Sequence, residues 1–314
     1  MKKILLIGFG NLGFYYLKNI INIKKIKKCD IFDISKKNLK RINNANFTNL
    51  TKINILSKFE DCDSDYDLCI ISTKSDIRYE IIKKLINKKN TKFLTEKILF
   101  KSYAEHAHIC KIIKNKKIKI WVNFNSRLLS WWIDIKKKIK NYNEISLIAH
   151  GGKIGLCTSG IHILDLFEYL SNKKIDSKKL TFHNIKIYKT KKNNYDLSGS
   201  LIYKNKRNSL YVNFDNDYTN NLPIFVISNK TNRFIIQPNL GLFIQINLIT
   251  NKVEKKYKIN KNEHQVSYYS GKLISNILSK NNCELPLIDE TTNIHKIIYS
   301  INTKYFKNKI NLPT

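Results

Sequence analysis

The chain has 314 residues and a formal charge of +33, with 57 basic side chains against 24 acidic ones. Its length predicts two domains, and the lack of a continuous apolar stretch of roughly eighteen residues argues against a membrane span. The six cysteines are scattered without metal-ligand spacing, so we expect reduced thiols, no metal site and a cytoplasmic location.

The positive charge by itself favours a polyanionic partner, but its composition does not. Of the 57 basic residues, 52 are lysines spread along every segment, and the arginines that usually contact bases and phosphates number five. The abundance of lysine, isoleucine and asparagine is typical of an AT-rich coding sequence. We therefore expect no specific nucleic-acid partner and only weak attraction to polyanions.

A glycine-rich turn follows the first apolar run. Residues 3–7 predict a buried strand, residues 8–13 read GFGNLG, and Leu12, Tyr15, Tyr16 and Ile20 recur at helical spacing. In such a strand–turn–helix unit, the first glycine permits the turn and the second admits a pyrophosphate. The third allows close packing of helix on strand, and the helix N-terminus attracts phosphate. A glycine turn in another α/β unit is the alternative, since the six-residue pattern is weak by itself.

An acidic residue supports the dinucleotide interpretation. A second apolar strand over residues 29–33 ends in Asp33, twenty positions after Gly13. An acid at this spacing accepts hydrogen bonds from the adenosine ribose and repels a 2′-phosphate, which favours NAD over NADP. Lys36 and Lys37 lie just beyond it and would weaken that preference, so NADP stays open.

The order of elements predicts an α/β fold with two domains. Strands and helices alternate up to residue 122, which indicates a doubly wound parallel sheet. Residues 123–314 begin with an amphipathic helix at 128–139 and end with helices near 266–279 and 290–304. Between them we predict a mostly antiparallel open sheet with strands at 144–149, 180–189, 201–203, 209–214, 225–228, 234–237, 242–248 and 253–259.

Two motifs are candidates for proton transfer. Lys97 follows a sheet strand, where a lysine near a nicotinamide can donate or accept a proton; a solvated lysine is the alternative. His162 lies at the start of a helix that Thr158 or Ser159 would cap, with Asp165 on the same helical face. A core histidine held by Asp165 is equally compatible with this second pattern.

The ordered motifs resemble a known family. They are GFGNLG at 8–13, IST at 71–73, TEK at 95–97, NFNSR at 123–127 and GIHILD at 160–165. Together they resemble the glucose-fructose oxidoreductase/inositol dehydrogenase/rhizopine catabolism (Gfo/Idh/MocA) family over nearly the whole chain. The resemblance implies a Rossmann domain over residues 1–122 and an α+β substrate and oligomerisation domain over 123–314. It also implies hydride transfer between NAD(P) and sugars, activated sugars or cyclitols.

The resemblance assigns roles to individual residues. Lys97 matches the motif lysine and His162 the catalytic histidine, and we predict that they share acid/base duty. The predicted cofactor-binding residues are Gly8, Phe9, Gly10, Asn11, Leu12, Asp33, Ser72, Thr73, Glu96 and Lys97. The predicted substrate contacts are Asn125, Arg127, Thr158 and Asp165, with Arg127 gripping a carboxylate or phosphate. No metal is predicted.

Two departures leave alternatives open. Ile98 stands where the family motif has proline, and Thr158 stands where an acid commonly precedes the histidine by four residues. A hydroxyl can hold a substrate oxygen without pairing its charge. The alternatives to a dehydrogenase are an NAD-binding sensor or partner subunit, and an enzyme that uses bound NAD for a net non-redox sugar reaction. The expected partners are a carbohydrate-like small molecule and, through the second-domain sheet, further copies of the chain in a homodimer or homotetramer.

Overall fold

The structure is a computed structural model that describes residues 1–45, 47, 50–140, 142, 144–152, 154–190, 194–215, 223–260, 262–263 and 265–307. Its helices are α1 (Asn11–Ile20), α2 (Lys36–Asn43), α3 (Ser75–Asn87), α4 (Tyr103–Ile113), α5 (Ser130–Ile139), α6 (Gly160–Ser171), α7 (Val266–Lys280) and α8 (Thr292–Phe306). Within the described ranges, every helix is too short or too polar to cross a lipid bilayer.

The N-terminal sheet is parallel and doubly wound. Its six strands are β1 (Lys2–Ile7), β2 (Ile26–Phe32), β3 (Ile53–Ile55), β4 (Leu68–Ile71), β5 (Lys92–Thr95) and β6 (Lys119–Val122). They lie in the order β3-β2-β1-β4-β5-β6, with every neighbouring pair parallel. The strand order reverses between β1 and β4, and the crevice at such a reversal is where dinucleotides bind. The predicted parallel sheet is confirmed.

Helix α1 packs through a face that only partly matches the predicted one, since Tyr16 and Ile20 are buried as predicted but Leu12 and Tyr15 are not. Gly13, Tyr16, Leu17 and Ile20 are buried, whereas Leu12 and Tyr15 are 38% and 41% exposed. The glycine determines this rotation of the helix, because a Cβ on Gly13 would lie 2.1 Å from the carbonyl oxygen of Gly8. Apolar spacing alone could not distinguish the two faces.

The second sheet is large and mostly antiparallel, as predicted. Its eight strands are β7 (Ser146–Gly152), β8 (Leu180–Lys189), β9 (Tyr195–Lys204), β10 (Ser209–Asp215), β11 (Ile224–Ser228), β12 (Asn232–Gln237), β13 (Leu242–Asn247) and β14 (Lys252–Lys258). Their order is β14-β13-β12-β11-β7-β10-β9-β8, and only the β7–β10 pairing is parallel among the described strands.

Helices cover one face of the second sheet. The Trp132 ring from α5 packs edge-on against Phe225 of β11, and Phe167 from α6 packs against Tyr203 of β9. Alternate residues of β10, including Leu210 and Val212, point into this core. The sheet is therefore apolar on its covered face, and the opposite face lies away from these helices.

The chain forms two compact units. Residues 1–124 and 264–292 make the first, and residues 125–263 and 293–314 the second. Helix α7, assigned from sequence to the second domain, therefore packs within the first unit. Its contact with α1 includes hydrogen bonds from Asn19 Nδ2 to the Ser267 carbonyl (3.0 Å) and the Ser270 hydroxyl (2.9 Å).

Candidate functional site

The glycine turn lies between β1 and α1 at the carboxyl edge of the parallel sheet. Gly8 has a φ of +88°, and a Cβ there would lie 2.9 Å from the Thr73 backbone nitrogen. At Gly10 a Cβ would meet nothing within 4 Å. No side chain caps α1, so its first N–H groups are available to an anion. The turn offers an open cradle lined by backbone, as a pyrophosphate requires.

Asp33 lies immediately after β2 and connects it to this turn. Its Oδ2 accepts hydrogen bonds from the Phe9 N–H and from Asn38 Nδ2 (3.3 Å), and its Oδ1 accepts from the Ser35 N–H at 2.6 Å. These contacts fix the carboxylate beside the turn. The side chain of Phe9 is buried, so its link to the site is through its backbone.

The exposed start of α1 is close to a cation. Asn11 Oδ1 accepts a hydrogen bond from Arg41 Nη1 at 3.3 Å, and the Arg41 guanidinium lies over the Phe14 ring. Leu12 is exposed beside Asn11. This side of the cradle therefore carries positive charge next to the helix N-terminus, which suits a phosphate group.

The loop after β4 borders the cradle. Ser72 Oγ donates to the Gly8 carbonyl at 2.6 Å. The hydroxyls of Thr73 and of Thr95, at the end of β5, are buried, and neither has a hydrogen-bond partner among the described residues. Buried hydroxyls without partners are rare in folded proteins. Their position at the carboxyl edge is consistent with a polar ligand binding there, so the residues present fit a dinucleotide.

Glu96 belongs to a buried polar cluster. Its Oε1 accepts hydrogen bonds from the Tyr16 hydroxyl (2.7 Å) and Asn123 Nδ2 (2.9 Å), and Asn123 Nδ2 lies 3.0 Å from the Tyr269 hydroxyl. Burial, together with the Glu96 carboxylate, raises the pKa of Tyr16 well above its usual range, and burial raises that of Tyr269. Both phenols therefore keep their protons, and the cluster anchors Glu96 from inside the unit.

Lys97 follows this anchored residue and is half-buried at the carboxyl edge of β5. The Lys97–Ile98 peptide bond is cis, although residue 98 is not proline. The cofactor-site residues predicted from sequence thus lie on the loops that leave strands of one sheet or, for Asn11 and Leu12, at the start of α1. Whether each one contacts a cofactor stays a prediction.

His162 lies in the first turn of α6 in the second unit and is half-buried. Ser159 is the N-cap residue, one of the two predicted, although its side chain makes no capping hydrogen bond. Thr158 instead donates its hydroxyl to Asp196 Oδ2 at 2.6 Å.

Asp196 on β9 holds the loop before α6, and sequence reasoning missed it. It is 1% exposed, and its Oδ1 accepts from the backbone N–H groups of Cys157 (2.9 Å) and Leu197 (2.8 Å). A Cβ on Gly155 would lie 1.6 Å from Asp196 Oδ2, so only glycine leaves room for this carboxylate. No local pattern links residues 155 and 196, and only the folded chain shows the pair.

Arg127 and Asp165 bind each other. Arg127 Nε and Nη2 donate to the two Asp165 carboxylate oxygens at 2.9 and 2.7 Å, a bidentate arrangement. Asp165 is fully buried; burial raises the pKa of its carboxyl, and the guanidinium opposes that rise. Asp165 therefore has a charged partner other than His162. Asn125 begins the short turn that carries Arg127, and substrate contact by these residues stays a prediction.

Within the described part of the chain, no group of three or more His, Cys, Asp or Glu side chains is arranged to hold a metal ion.

Comparison with known proteins connects this geometry to a family. Residues 2–124 match the GFO_IDH_MocA model, described as an oxidoreductase family with an NAD-binding Rossmann fold. Over this domain, the chain resembles the Gfo/Idh/MocA oxidoreductase family. The predicted resemblance to this family and the NAD-binding Rossmann fold of residues 2–124 are confirmed. A search of curated protein sequences gave no significant match.

Solved structures resemble the whole chain in fold at low sequence identity. A Gfo/Idh/MocA family oxidoreductase from Vibrio cholerae has a TM-score of 0.73 at 12% identity, covering 98% of this chain and 99% of its own. UDP-N-acetylglucosamine 3-dehydrogenase GnnA from Acidithiobacillus ferrooxidans gives 0.74 at 9%, covering 95% and 96%. A super-repressor mutant of Gal80p from Saccharomyces cerevisiae gives 0.73 at 13%, covering 99% and 97%. These likenesses concern the fold alone.

Proposed function

We propose that this protein is an NAD(P)-dependent dehydrogenase or reductase acting on a CH–OH group of a sugar, an activated sugar or a cyclitol. The observation that carries the proposal is the open glycine cradle of a family-matched Rossmann domain, where a Cβ on Gly10 would meet nothing. The fold likeness to a UDP-sugar dehydrogenase supports the substrate class. Bound NAD would accept or supply the hydride, and the protein manages the proton.

The position of each predicted site residue suggests its role. The cradle at Gly8 and Gly10 would hold the pyrophosphate, and Asp33 the adenosine ribose, which favours NAD over NADP. Lys97 is our first choice for the group that exchanges a proton with the substrate oxygen, and His162 our second. Anchoring of Glu96 from inside the unit supports this choice, because it fixes the backbone from which Lys97 extends.

Substrate turnover tests the proposal. A panel of sugars, nucleotide sugars and cyclitols is assayed in both directions, following the absorbance of the reduced nicotinamide. We expect turnover with at least one compound, and losses of about a hundredfold or more in Lys97→Ala and His162→Ala. Near-normal rates in both variants would remove the assignment of these two residues.

A second candidate is an NAD-binding sensor or partner subunit without dehydrogenase activity. One observation favours it: Arg127, Asp165 and Thr158, three predicted substrate contacts, already bind carboxylate or guanidinium groups of the chain itself. The fold likeness to a Gal80p super-repressor mutant points the same way. Tight NAD binding without any redox change across the panel would favour this candidate. Product formation without a net absorbance change would instead favour a non-redox sugar reaction.

We also propose that the chain forms a homodimer through the face of its second sheet opposite α5 and α6. Six neighbouring strands, in the spatial order β9, β10, β7, β11, β12 and β13, each contribute one apolar side chain to a row across the sheet. In that order the side chains are Ile202, Tyr211, Ile148, Val226, Ile235 and Ile244. Ile148 and Tyr211 are 39% and 38% exposed. An uncharged apolar row of this length on a chain of charge +33 suits a second copy better than solvent.

The mass of the particle in solution tests the dimer. Ile148→Lys places a charge in the middle of the row, and Tyr211→Phe is the matched apolar change. By multi-angle light scattering, we expect a dimer for the wild type and Tyr211→Phe and a monomer for Ile148→Lys. A monomeric wild type at micromolar concentration would contradict the proposal.

A further inference from the structure

Arg78 is a completely buried arginine on α3, with 0% of its surface exposed. Charged side chains are almost never buried to this extent unless their hydrogen-bonding groups are satisfied, because removing a cation from water is expensive. Nothing in the sequence pattern marks this residue, which lies among polar and apolar residues of an ordinary amphipathic helix. Its surroundings therefore need a physical explanation.

The guanidinium binds backbone carbonyls of two separate loops. Nη1 lies 2.7 Å from the Glu96 oxygen, 2.5 Å from that of Ile98 and 2.9 Å from that of Leu99. Nη2 donates to the carbonyl of Thr73. One planar group thus joins the loop that follows β4 to the loop that follows β5.

This linkage requires the shape of arginine. The two terminal nitrogens of a guanidinium point in fixed directions from one plane, so each can serve a different loop. A lysine ammonium is a single nitrogen on a flexible stem and cannot reach both sets of carbonyls in the same way. The contacts around Lys97 are equally specific, because Arg78 holds the carbonyls of Glu96 and Ile98 on either side of it.

The two loops belong to one half of the cofactor crevice. In a doubly wound sheet, each half binds one mononucleotide, and the glycine turn and the acid after β2 belong to the first half. The loops after β4 and β5 belong to the second half, across the reversal of strand order between β1 and β4. Arg78 contacts the second half, whereas Asp33 contacts the first.

We propose that Arg78 is a positioning residue that shapes the pocket for the nicotinamide half of the dinucleotide and has no part in holding the adenosine half. The inference rests on the proposed function, because it takes the crevice to be a dinucleotide site. It makes a claim that a general stabilising role does not make, since loss of Arg78 should affect one half of the ligand only.

Two ligands separate the halves of the site. ADP-ribose carries the adenosine, the pyrophosphate and the second ribose, and NADH carries the nicotinamide in addition. Calorimetric titration of both ligands is performed on the wild type, Arg78→Lys and Arg78→Met. Arg78→Lys keeps the charge, and Arg78→Met keeps most of the stem. We expect the Kd of NADH to rise about tenfold or more in both variants and that of ADP-ribose to stay within about twofold.

Two control variants distinguish a loss at one half of the site from a general loss of binding. Asp33→Asn should weaken both ligands, because it acts on the shared half. Arg207→Lys is the matched arginine-to-lysine change at an exposed turn of the second unit and should alter neither. Binding of ADP-ribose by the Arg78 variants also reports that the first unit is folded.

The possible results separate the role of Arg78 from the proposed function. Unchanged NADH affinity in the Arg78 variants, or equal losses of NADH and ADP-ribose, would overturn the positioning role while leaving the proposed function intact. A wild type that binds neither ligand would overturn the proposed function, and the role of Arg78 with it.

Discussion

Arg78 in the first unit and Arg127 in the second are stabilised in different ways. In the first unit, neutral groups surround the charges we have described: carbonyl oxygens bind Arg78, and phenol and amide groups bind Glu96. In the second unit, Arg127 and Asp165 neutralise each other. A cation held by carbonyls fixes loops in place and keeps its charge, whereas a paired cation loses most of its field. The first arrangement is suited to shaping a site for an anionic cofactor, and the second to holding a helix against a turn.

The largest expected effect follows from breaking the ion pair of the second unit. Asp165→Ala leaves the Arg127 guanidinium, which is 12% exposed, without its carboxylate, and should cost about 3–5 kcal/mol of unfolding free energy. Chemical denaturation measures this loss. Replacing both residues with apolar ones of similar volume should recover much of it.

Lys179→Met is the control for that comparison. Its partner Asp176 lies 4.0 Å away at an exposed position, so the change should cost less than about 1 kcal/mol. Equal costs for Asp165→Ala and Lys179→Met would mean that the buried pair contributes no more than a surface pair.

A smaller effect concerns His106, a buried titratable side chain that stays neutral in the folded protein. Burial lowers the pKa of His106 in the first unit to about 4, from the usual 6.5. The unfolded state therefore binds a proton between these values that the folded state does not. Above pH 6.5, the titration of His106 should leave the unfolding free energy unchanged. Between pH 6.5 and about pH 4, proton uptake by the unfolded state should lower it progressively, by about 3 kcal/mol in all.

Unfolding free energies of the wild type and His106→Gln across this pH range measure the effect. The wild type should lose more stability between pH 6.5 and pH 4 than the variant. Parallel curves for the two proteins would show that His106 titrates normally in the folded state.

The smallest effect tests the neutral partners of Glu96. Tyr16→Phe removes a hydrogen bond to the carboxylate and should cost about 2 kcal/mol, because bonds to charged groups are the stronger ones. Tyr269→Phe removes a hydroxyl that contacts only the amide of Asn123 among the described residues and should cost about 1 kcal/mol. A reversed order in denaturation would contradict this ranking of the two hydrogen bonds.

The first unit was largely predictable from sequence, because its signals are local. The glycine turn, Asp33 and the strand ends follow one another within a few dozen residues, and parallel strands bring such ends to one edge. Rotation of α1 about its axis escaped prediction, since it depends on how closely Gly13 approaches Gly8. The importance of Arg78 also escaped, because its partners are backbone carbonyls that no sequence pattern marks.

In the second unit, the strands could be predicted from the sequence, but the polar contacts could not. All eight predicted strands are present, since alternation and turns are local signals. The partners of Thr158 and Arg127 are not local: Asp196 is 38 residues from Thr158, and Asp165 is 38 residues from Arg127. Sequence reasoning considered Asp165 with His162 because they share a helical face, and it did not find the arginine from a preceding turn that binds both carboxylate oxygens.

Gly10→Ala tests the central claim, that the glycine cradle binds a pyrophosphate, most directly. The added methyl meets no atom within 4 Å and the backbone there has an ordinary φ of −70°, so the free protein should keep its stability within about 1 kcal/mol. The methyl would occupy the space of the phosphates, and the Kd of NAD measured by calorimetry should rise about tenfold or more. An unchanged Kd in a folded Gly10→Ala protein would contradict the account.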